Sequence, residues 1–362
     1  ITLEVPVSDP ALWTSVEELL VRMLNFLTGD RWKLRFRARP AGLKRLAPAP
    51  TRLAMYRPLD VCLFSGGLDS FIGAIDLLAD GRGPLFVSHY WDGVTSAHQT
   101  YCGERLEKHY PKAGFMHLRA RVGFPTDAVA GSGVENSLRG RSFLFFALAA
   151  LAADAIKEDV TIHVPENGLI SLNVPLDPLR LGSLSTRTTH PFYMARWNEL
   201  LGRLGIRATL NNRYRHQTKG EMVAGCADRV FLERSARGTM SCSSPAKARW
   251  SGAPPQHCGH CVPCLIRRAS LIAGLGKDDT TYTLQDLRAA PLDAAKAEGE
   301  HVRSFQLAIA RHKARPGSAR FRIHQPGPLN DAPAELGAYE QVYVNGLNEV
   351  GALLAGVVAR PL

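Results

Sequence analysis

The sequence has no apolar run long enough to cross a bilayer. The longest, Phe143 to Ala153, stops at Asp154, well short of the ~20 residues a spanning helix needs. Its opening, ITLEVPVSDP, lacks the basic start and apolar core of a secretory signal, so a cytoplasmic protein with no membrane partner is expected. There is no internal repeat and no low-complexity tract. The cysteine count, seven, is odd, and three of them crowd into Cys258–Cys264. That distribution fits a reducing compartment and a metal site better than a disulfide framework. Acidic residues are absent between Arg31 and Arg57, where nine Lys/Arg lie, and the 362-residue chain as a whole carries 44 Lys+Arg against 33 Asp+Glu. The resulting +11 suits a polyanionic ligand or partner: a nucleotide, a nucleic acid or an acidic protein. At 45% hydrophobic and 21% charged, the chain can bury a large core and is not disordered by composition.

Three regions follow from the patterning. Residues 1–58 read as a small α/β extension. Leu12, Val16, Leu19, Leu20, Met23 and Leu27 predict one helix from Ala11 to Leu27, and the alternation from Arg31 to Arg39 predicts a strand with a cationic face. From 59 to 283 short apolar runs (LDVCLF, LFVSHY, FMHLRA, VTIHVP) alternate with helical stretches such as Ser70–Ala79, Thr95–His109 and Arg141–Ile156. Such alternation predicts an α/β fold, a parallel sheet with helices on both faces, whose ligands lie beyond the carboxyl ends of the strands. Residues 284–362 read as a helical extension, with amphipathic helices near 291–312 and 333–357.

The most informative segment joins a strand to a helix through Ser65-Gly66-Gly67-Leu68-Asp69-Ser70. Two glycines permit a sharp turn and close backbone approach to a ligand. The N–H groups opening the helix then seat an anion on the positive end of its dipole. Ser65 and Ser70 add hydroxyls, and Asp69 is a candidate magnesium ligand. The segment is neither a Walker loop nor a dinucleotide fingerprint. The plain alternative is an ordinary helix-capping turn.

Cys242, then Cys258-Gly-His-Cys261-Val-Pro-Cys264, offers four thiolates at spacings suited to one tetrahedral zinc with a structural role. An iron–sulfur cluster suits the same spacing, and His257 and His260 are further candidate ligands. Cys62, Cys102 and Cys226 read as core residues.

Taken together, these motifs resemble the QueC-like family of PP-loop ATP pyrophosphatases, the 7-cyano-7-deazaguanine synthase type. The shared run is SGGLDS at 65–70, GRSFLF at 140–145, HQTKGEMV at 216–223, Cys242, CGHCVPCLIRRASL at 258–271 and GLGKDDTTYT at 274–283. It departs at Ser142, where the family has Asn, in the long block 166–192, and in the two extensions. Those departures are similar to the QueC-like proteins of bacterial anti-phage defence operons, such as QatC. The resemblance implies ATP and Mg2+ at the SGGLDS turn, structural Zn2+, and adenylylation of the carboxylate of a 7-deazaguanine with release of pyrophosphate. The activated carboxylate then goes to an amide and a nitrile, or is joined to the N-terminus of an operon-encoded protein partner.

On that reading Arg141 and Lys219 join the turn in binding ATP, each against the alternative of a residue flanking a helix. Glu166 and Asn167 follow a strand end, where Glu166 is a candidate reader of a purine-like edge, or else part of a capping turn. Arg187, Thr188, Thr189 and His190 form a polar run suited to an anionic carboxylate, or simply to a turn. His89 and His98, flanking another strand end, are weaker candidates. Two other functions stay open: a PP-loop enzyme modifying tRNA by thiolation or lysidine-type chemistry, supported by the basic segments, and a non-catalytic nucleotide-bound scaffold. Nucleic acid is the less favoured partner, and a homodimer through a sheet edge or the C-terminal helices is compatible with the sequence.

Overall fold

The computed structural model describes residues 1–43, 58–90, 92–123, 139–178 and 187–361. The second half of the basic segment, 44–57, and the middle of the block 166–192 (179–186) lie outside the described residues.

The chain opens with β1 (Thr2–Val7), α1 (Pro10–Ser15), α2 (Glu17–Thr28) and β2 (Lys33–Ala38), with β1 and β2 paired in parallel. Lys33, Arg35 and Arg37 of β2 are exposed while Leu34 is buried, the cationic face that the alternation predicts. The single helix expected from Ala11 to Leu27 is instead two, broken at Val16. The Ser15 hydroxyl donates to the Leu12 carbonyl at 2.6 Å, and this local bond competes with continuation of the helix.

The expected parallel sheet is present, with five strands and at least one helix between each consecutive pair. In chain order come β3 (Asp60–Leu63), α3 (Leu68–Ala79), β4 (Leu85–Tyr90), α4 (Gly93–His109), β5 (Met116–Arg121), α5 (Arg141–Ile156), β6 (Val160–His163), α6 (Gly168–Leu172), α7 (Pro191–Arg203) and β7 (Ala208–Asn211). The spatial order is β5-β4-β3-β6-β7, all parallel. The chain thus builds outward from β3 to β5, then returns to the other side of β3 to lay down β6 and β7. The order reverses between β3 and β6, and a crevice opens beyond the carboxyl ends of strands at such a switch point.

Alternation along β3 sends its side chains to two different cores. Val61 and Leu63 pack with Phe146 of α5, Trp197 of α7 and Leu20 and Met23 of α2. Cys62 and Phe64 pack with Ile72 of α3, Phe86 of β4 and Leu106 of α4. The N-terminal extension therefore shares a core with the sheet.

Downstream lie α8 (Lys219–Ala224), α9 (Arg229–Ser235), α10 (Val262–Leu275), β8 (Leu292–Asp293), α11 (Ala297–Ala314), α12 (Ala319–Arg322), α13 (Leu336–Leu353) and β9 (Ala359–Arg360). The two C-terminal helices expected near 291–312 and 333–357 are α11 and α13. A third core joins them to α6 and α10 through Leu169, Leu265, Phe305 and Val342. Among the described residues, no helix is long and apolar enough to cross a membrane.

Candidate functional site

The turn after β3 lies at the switch point. Gly66 adopts φ +79°, and a Cβ there would meet Gln99 N at 3.0 Å and His98 C at 3.1 Å, at the face of α4. Only glycine meets both demands without strain. Ser70 Oγ donates to the Gly67 carbonyl at 3.0 Å and lies 3.1 Å from Ser65 Oγ, so the two hydroxyls brace the turn. Leu68 opens α3 and is fully buried.

Asp69, in the first turn of α3, gathers the other candidates. Its Oδ2 accepts from the backbone N–H of Asn167 at 3.1 Å and from Asn167 Nδ2 at 2.7 Å. Its Oδ1 pairs with Lys219 Nζ at 3.0 Å, both side chains being buried. Asn167, which follows β6, also N-caps α6 by accepting from Ile170 N–H at 3.1 Å. Lys219 is the first residue of α8, whose start is fixed by a reciprocal cap between Thr218 and Glu221. Segments from three places in the chain thus meet at one carboxylate.

The electrostatics divide the two acids. Burial alone would raise the Asp69 carboxyl, but the Lys219 charge and the hydrogen bonds it accepts outweigh that and hold it below the ordinary range. Glu166 goes the other way: burial and the neighbouring Asp69 charge push it well above the ordinary range, with Lys219 opposing only in part. The surroundings therefore favour the charge on Asp69 and disfavour it on Glu166.

The remaining candidates are dispersed. Arg141 heads α5 and reaches toward the His89 carbonyl (3.5 Å), which also accepts from Gln99 Nε2 at 3.1 Å. Burial lowers its pKa, although Asp92 opposes the shift. His98 Nδ1 is 2.8 Å from the Gly238 carbonyl, and His89 Nε2 is 3.0 Å from the Val122 carbonyl. Arg187 turns to α2, donating to the Phe26 carbonyl at 3.2 Å and lying over the Phe26 ring. Thr188 is part-buried, and the Thr189 carbonyl accepts from Ser171 Oγ at 2.6 Å. His190 is fully buried and N-caps α7, its Nδ1 accepting from Phe192 N–H at 3.2 Å. In this run the contacts of Arg187 and His190 are those of a braced turn.

The four cysteines converge. The Sγ atoms of Cys242, Cys258, Cys261 and Cys264 all lie within 4.8 Å of one another, and Cys242–Cys261 and Cys258–Cys264 are each 3.9 Å apart. Tetrahedral zinc, with Zn–S near 2.3 Å, places sulfurs about 3.8 Å apart, so the donor set fits that ion. Backbone N–H groups of Ser244, Cys258 and Cys261 point at these sulfurs from 3.3–3.4 Å, as suits thiolates. His257 accepts from Ser241 N–H through Nε2 at 3.1 Å, and His260 Nδ1 lies 3.0 Å from the Ala297 carbonyl. Both histidines thus bond backbone groups, His260 also lying beside Cys258, and the four thiols form the candidate ligand set. Cys62, Cys102 and Cys226 are buried elsewhere.

Sequence reasoning overlooked the residues behind this site. Arg267, one turn past Cys264, is fully buried and donates to the Ala236 carbonyl at 2.7 Å, Thr239 Oγ1 at 2.8 Å and Thr280 Oγ1 at 3.2 Å. Its place in CLIRR was visible; its partners, spread from 236 to 280, were not.

No protein-family model matches the chain, and no curated protein matches it. Fold and site define its class: an α/β protein with a central five-stranded parallel sheet flanked by helices. To this is attached a four-cysteine cluster able to hold a metal ion and compatible with zinc.

Proposed function

We propose that this protein is a QueC-like, ATP-dependent ligase or synthase that adenylylates the carboxylate of a 7-deazaguanine, 7-carboxy-7-deazaguanine, and releases pyrophosphate. The product is an amide or nitrile, or a conjugate with the N-terminus of an operon-encoded protein, in anti-phage defence. One observation carries this reading: SGGLDS, the Lys of TKGE and the Asn of PENG, widely separated in sequence, meet at Asp69 at the sheet's switch point.

The chemistry has a simple logic. An amine cannot expel oxide from a carboxylate. When a carboxylate oxygen attacks the α-phosphorus of ATP, the bond to the bridging oxygen breaks, pyrophosphate leaves, and AMP becomes the group an amine can displace. The turn at 65–70 would hold the β- and γ-phosphates against the N-terminus of α3. Lys219 has three N–H donors; Asp69 takes one and leaves others for the departing pyrophosphate. A magnesium ion would neutralise phosphate charge; Asp69 Oδ1, paired with Lys219, would be the oxygen offered to it, while Oδ2 holds Asn167. Glu166, whose Oε1 accepts from Asn167 Nδ2 at 3.4 Å beside Asp69, is the carboxyl group offered to a purine-like edge.

The test is incubation with Mg-ATP and 7-carboxy-7-deazaguanine, with and without ammonia, followed by mass spectrometry. AMP and pyrophosphate that depend on the carboxylate are expected. Free nitrile would assign ammonia as acceptor, and activation without free nitrile would point to a protein amine. AMP formed only when RNA is added would replace this reading with the tRNA-modifying one, and no AMP under any condition would remove it.

A further inference from the structure

The helix that carries Lys219 has six residues, too short to hold its shape without tertiary support. Its main packing is against α10, and α13, in the extension beyond the QueC-like region, adds polar contacts at its start. The Glu349 carboxylate accepts from the Thr218 hydroxyl and, at 3.3 Å, from Gly220 N–H. Lys219 lies between these two residues, so one carboxylate holds its neighbours on both sides, Thr218 by the hydroxyl and Gly220 by the backbone N–H. One turn earlier on α13, Asn345 Nδ2 donates to Glu221 Oε1 at 2.9 Å. Glu335, just before α13, accepts from Arg215 at 2.8 and 3.0 Å and lies 2.8 Å from His216 Nε2.

Two features separate Glu349 from a merely adhesive contact. Thr218 Oγ1 already accepts from Glu221 N–H at 3.1 Å, so giving its single proton to Glu349 uses the hydroxyl in both directions and fixes its orientation. Gly220 leaves the room required: a Cβ there would stand 2.5 Å from Glu349 Oε1. Burial disfavours the Glu349 charge, and the bonds from Thr218 and Gly220 oppose that cost.

We propose that Glu349 is a positioning residue for Lys219: by bracketing residues 218 and 220 it aims the Lys219 ammonium at Asp69 and the 65–70 turn. The functional meaning of that aim rests on the ATP reading above, whereas the aim itself does not.

The experiment measures labelling of Lys219 by an amine-reactive reagent, read by peptide mass spectrometry against exposed Lys112, alongside ATP affinity by calorimetry, zinc content and thermal melting. Glu349→Ala should raise Lys219 labelling relative to Lys112 by roughly tenfold, the mark of a local opening, and weaken ATP binding, with zinc retained. Gly220→Ala, which pushes the carboxylate away while keeping it present, should do the same. Glu349→Gln, whose single carbonyl oxygen can accept one of the two bonds, should give labelling between that of the parent and that of Glu349→Ala. Asn345→Ala removes an α13 contact without touching the bracket and should leave labelling as in the parent. Unchanged labelling in both Glu349→Ala and Gly220→Ala would overturn the proposal, as would an equal rise in Asn345→Ala. A parent protein that shows this labelling pattern but binds no ATP would overturn the ATP reading and support the positioning role.

Discussion

The backbone N–H of Met240 donates to the Gly66 carbonyl at 2.9 Å, joining the turn after β3 to the loop that leads into Cys242. That loop is held from the other side by Arg267, which bonds Ala236 and Thr239 from α10, the helix that Cys261 caps and Cys264 enters. The cysteine cluster and the glycine turn are therefore the two ends of one hydrogen-bonded run.

Metal removal should travel along that run. Purified protein is expected to contain about one zinc per chain, as a closed four-thiolate site takes one ion. Chelation should speed hydrogen exchange at 239–241 and at 65–70, while β6 keeps its protection. Iron with sulfide in place of zinc would overturn the metal assignment, and unchanged exchange at 65–70 would sever the link.

Asp69→Asn leaves Lys219 buried without its counter-charge. Breaking a buried pair from one side costs about 3–5 kcal/mol, so a loss of roughly 3 kcal/mol is expected in urea unfolding. Adding Lys219→Met to that variant should recover much of the loss, since no charge is then stranded. A single-variant loss below about 1 kcal/mol would mean that the pair is not buried together as described.

Gly66→Ala suffers both strain and crowding, whereas Gly81→Ala suffers strain alone. Both glycines have positive φ (+79° and +73°), but a Cβ at Gly81 would meet nothing within 4 Å. A left-handed alanine costs about 1–2 kcal/mol. The Gly81 variant should show that much and the Gly66 variant clearly more, together with lost ATP binding. Equal losses by thermal melting would contradict the close approach of α4 to the turn.

His190 should make the fold acid-sensitive. Burial, with a smaller contribution from the Arg187 charge, holds its pKa down at about 3, against 6.5 for an exposed imidazole. Between those values the unfolded chain binds a proton that the folded chain refuses, so stability falls as pH drops below about 6.5 and levels off near 3. The slope from this one group is about 1.4 kcal/mol per pH unit. His190→Asn keeps an acceptor for the Phe192 N–H but does not titrate. Its stability difference between pH 7 and pH 5 should be smaller than the parent's, and equal differences would count against a neutral buried ring.

Strands β3 to β6 were readable because each is a short run rich in apolar residues next to a helical stretch. β7 was not: in Ala208–Asn211 only Leu210 is buried, and an edge strand with one anchored residue carries no period to detect. The meeting of Asp69 with Asn167 was half legible. Both follow strand ends, and the sheet order alone decides that those strands are neighbours. The polar run at 187–190 stays open between its two readings, since composition cannot tell an arginine facing a ligand from one lying on Phe26. Glu349 left no local signal, because its role depends on a partner 131 residues away.

That separation has a kinetic consequence. Contacts between distant residues form late, because chain closure over long loops costs entropy before any bond compensates. The sheet and the SGGLDS turn can assemble as soon as β7 is available, but the bracket around Lys219 must wait until the ribosome has released α13. A nascent or truncated chain could carry the turn and the cysteine cluster while its lysine remained unaimed. Complete synthesis of the C-terminal helix thus acts as the condition for a finished site.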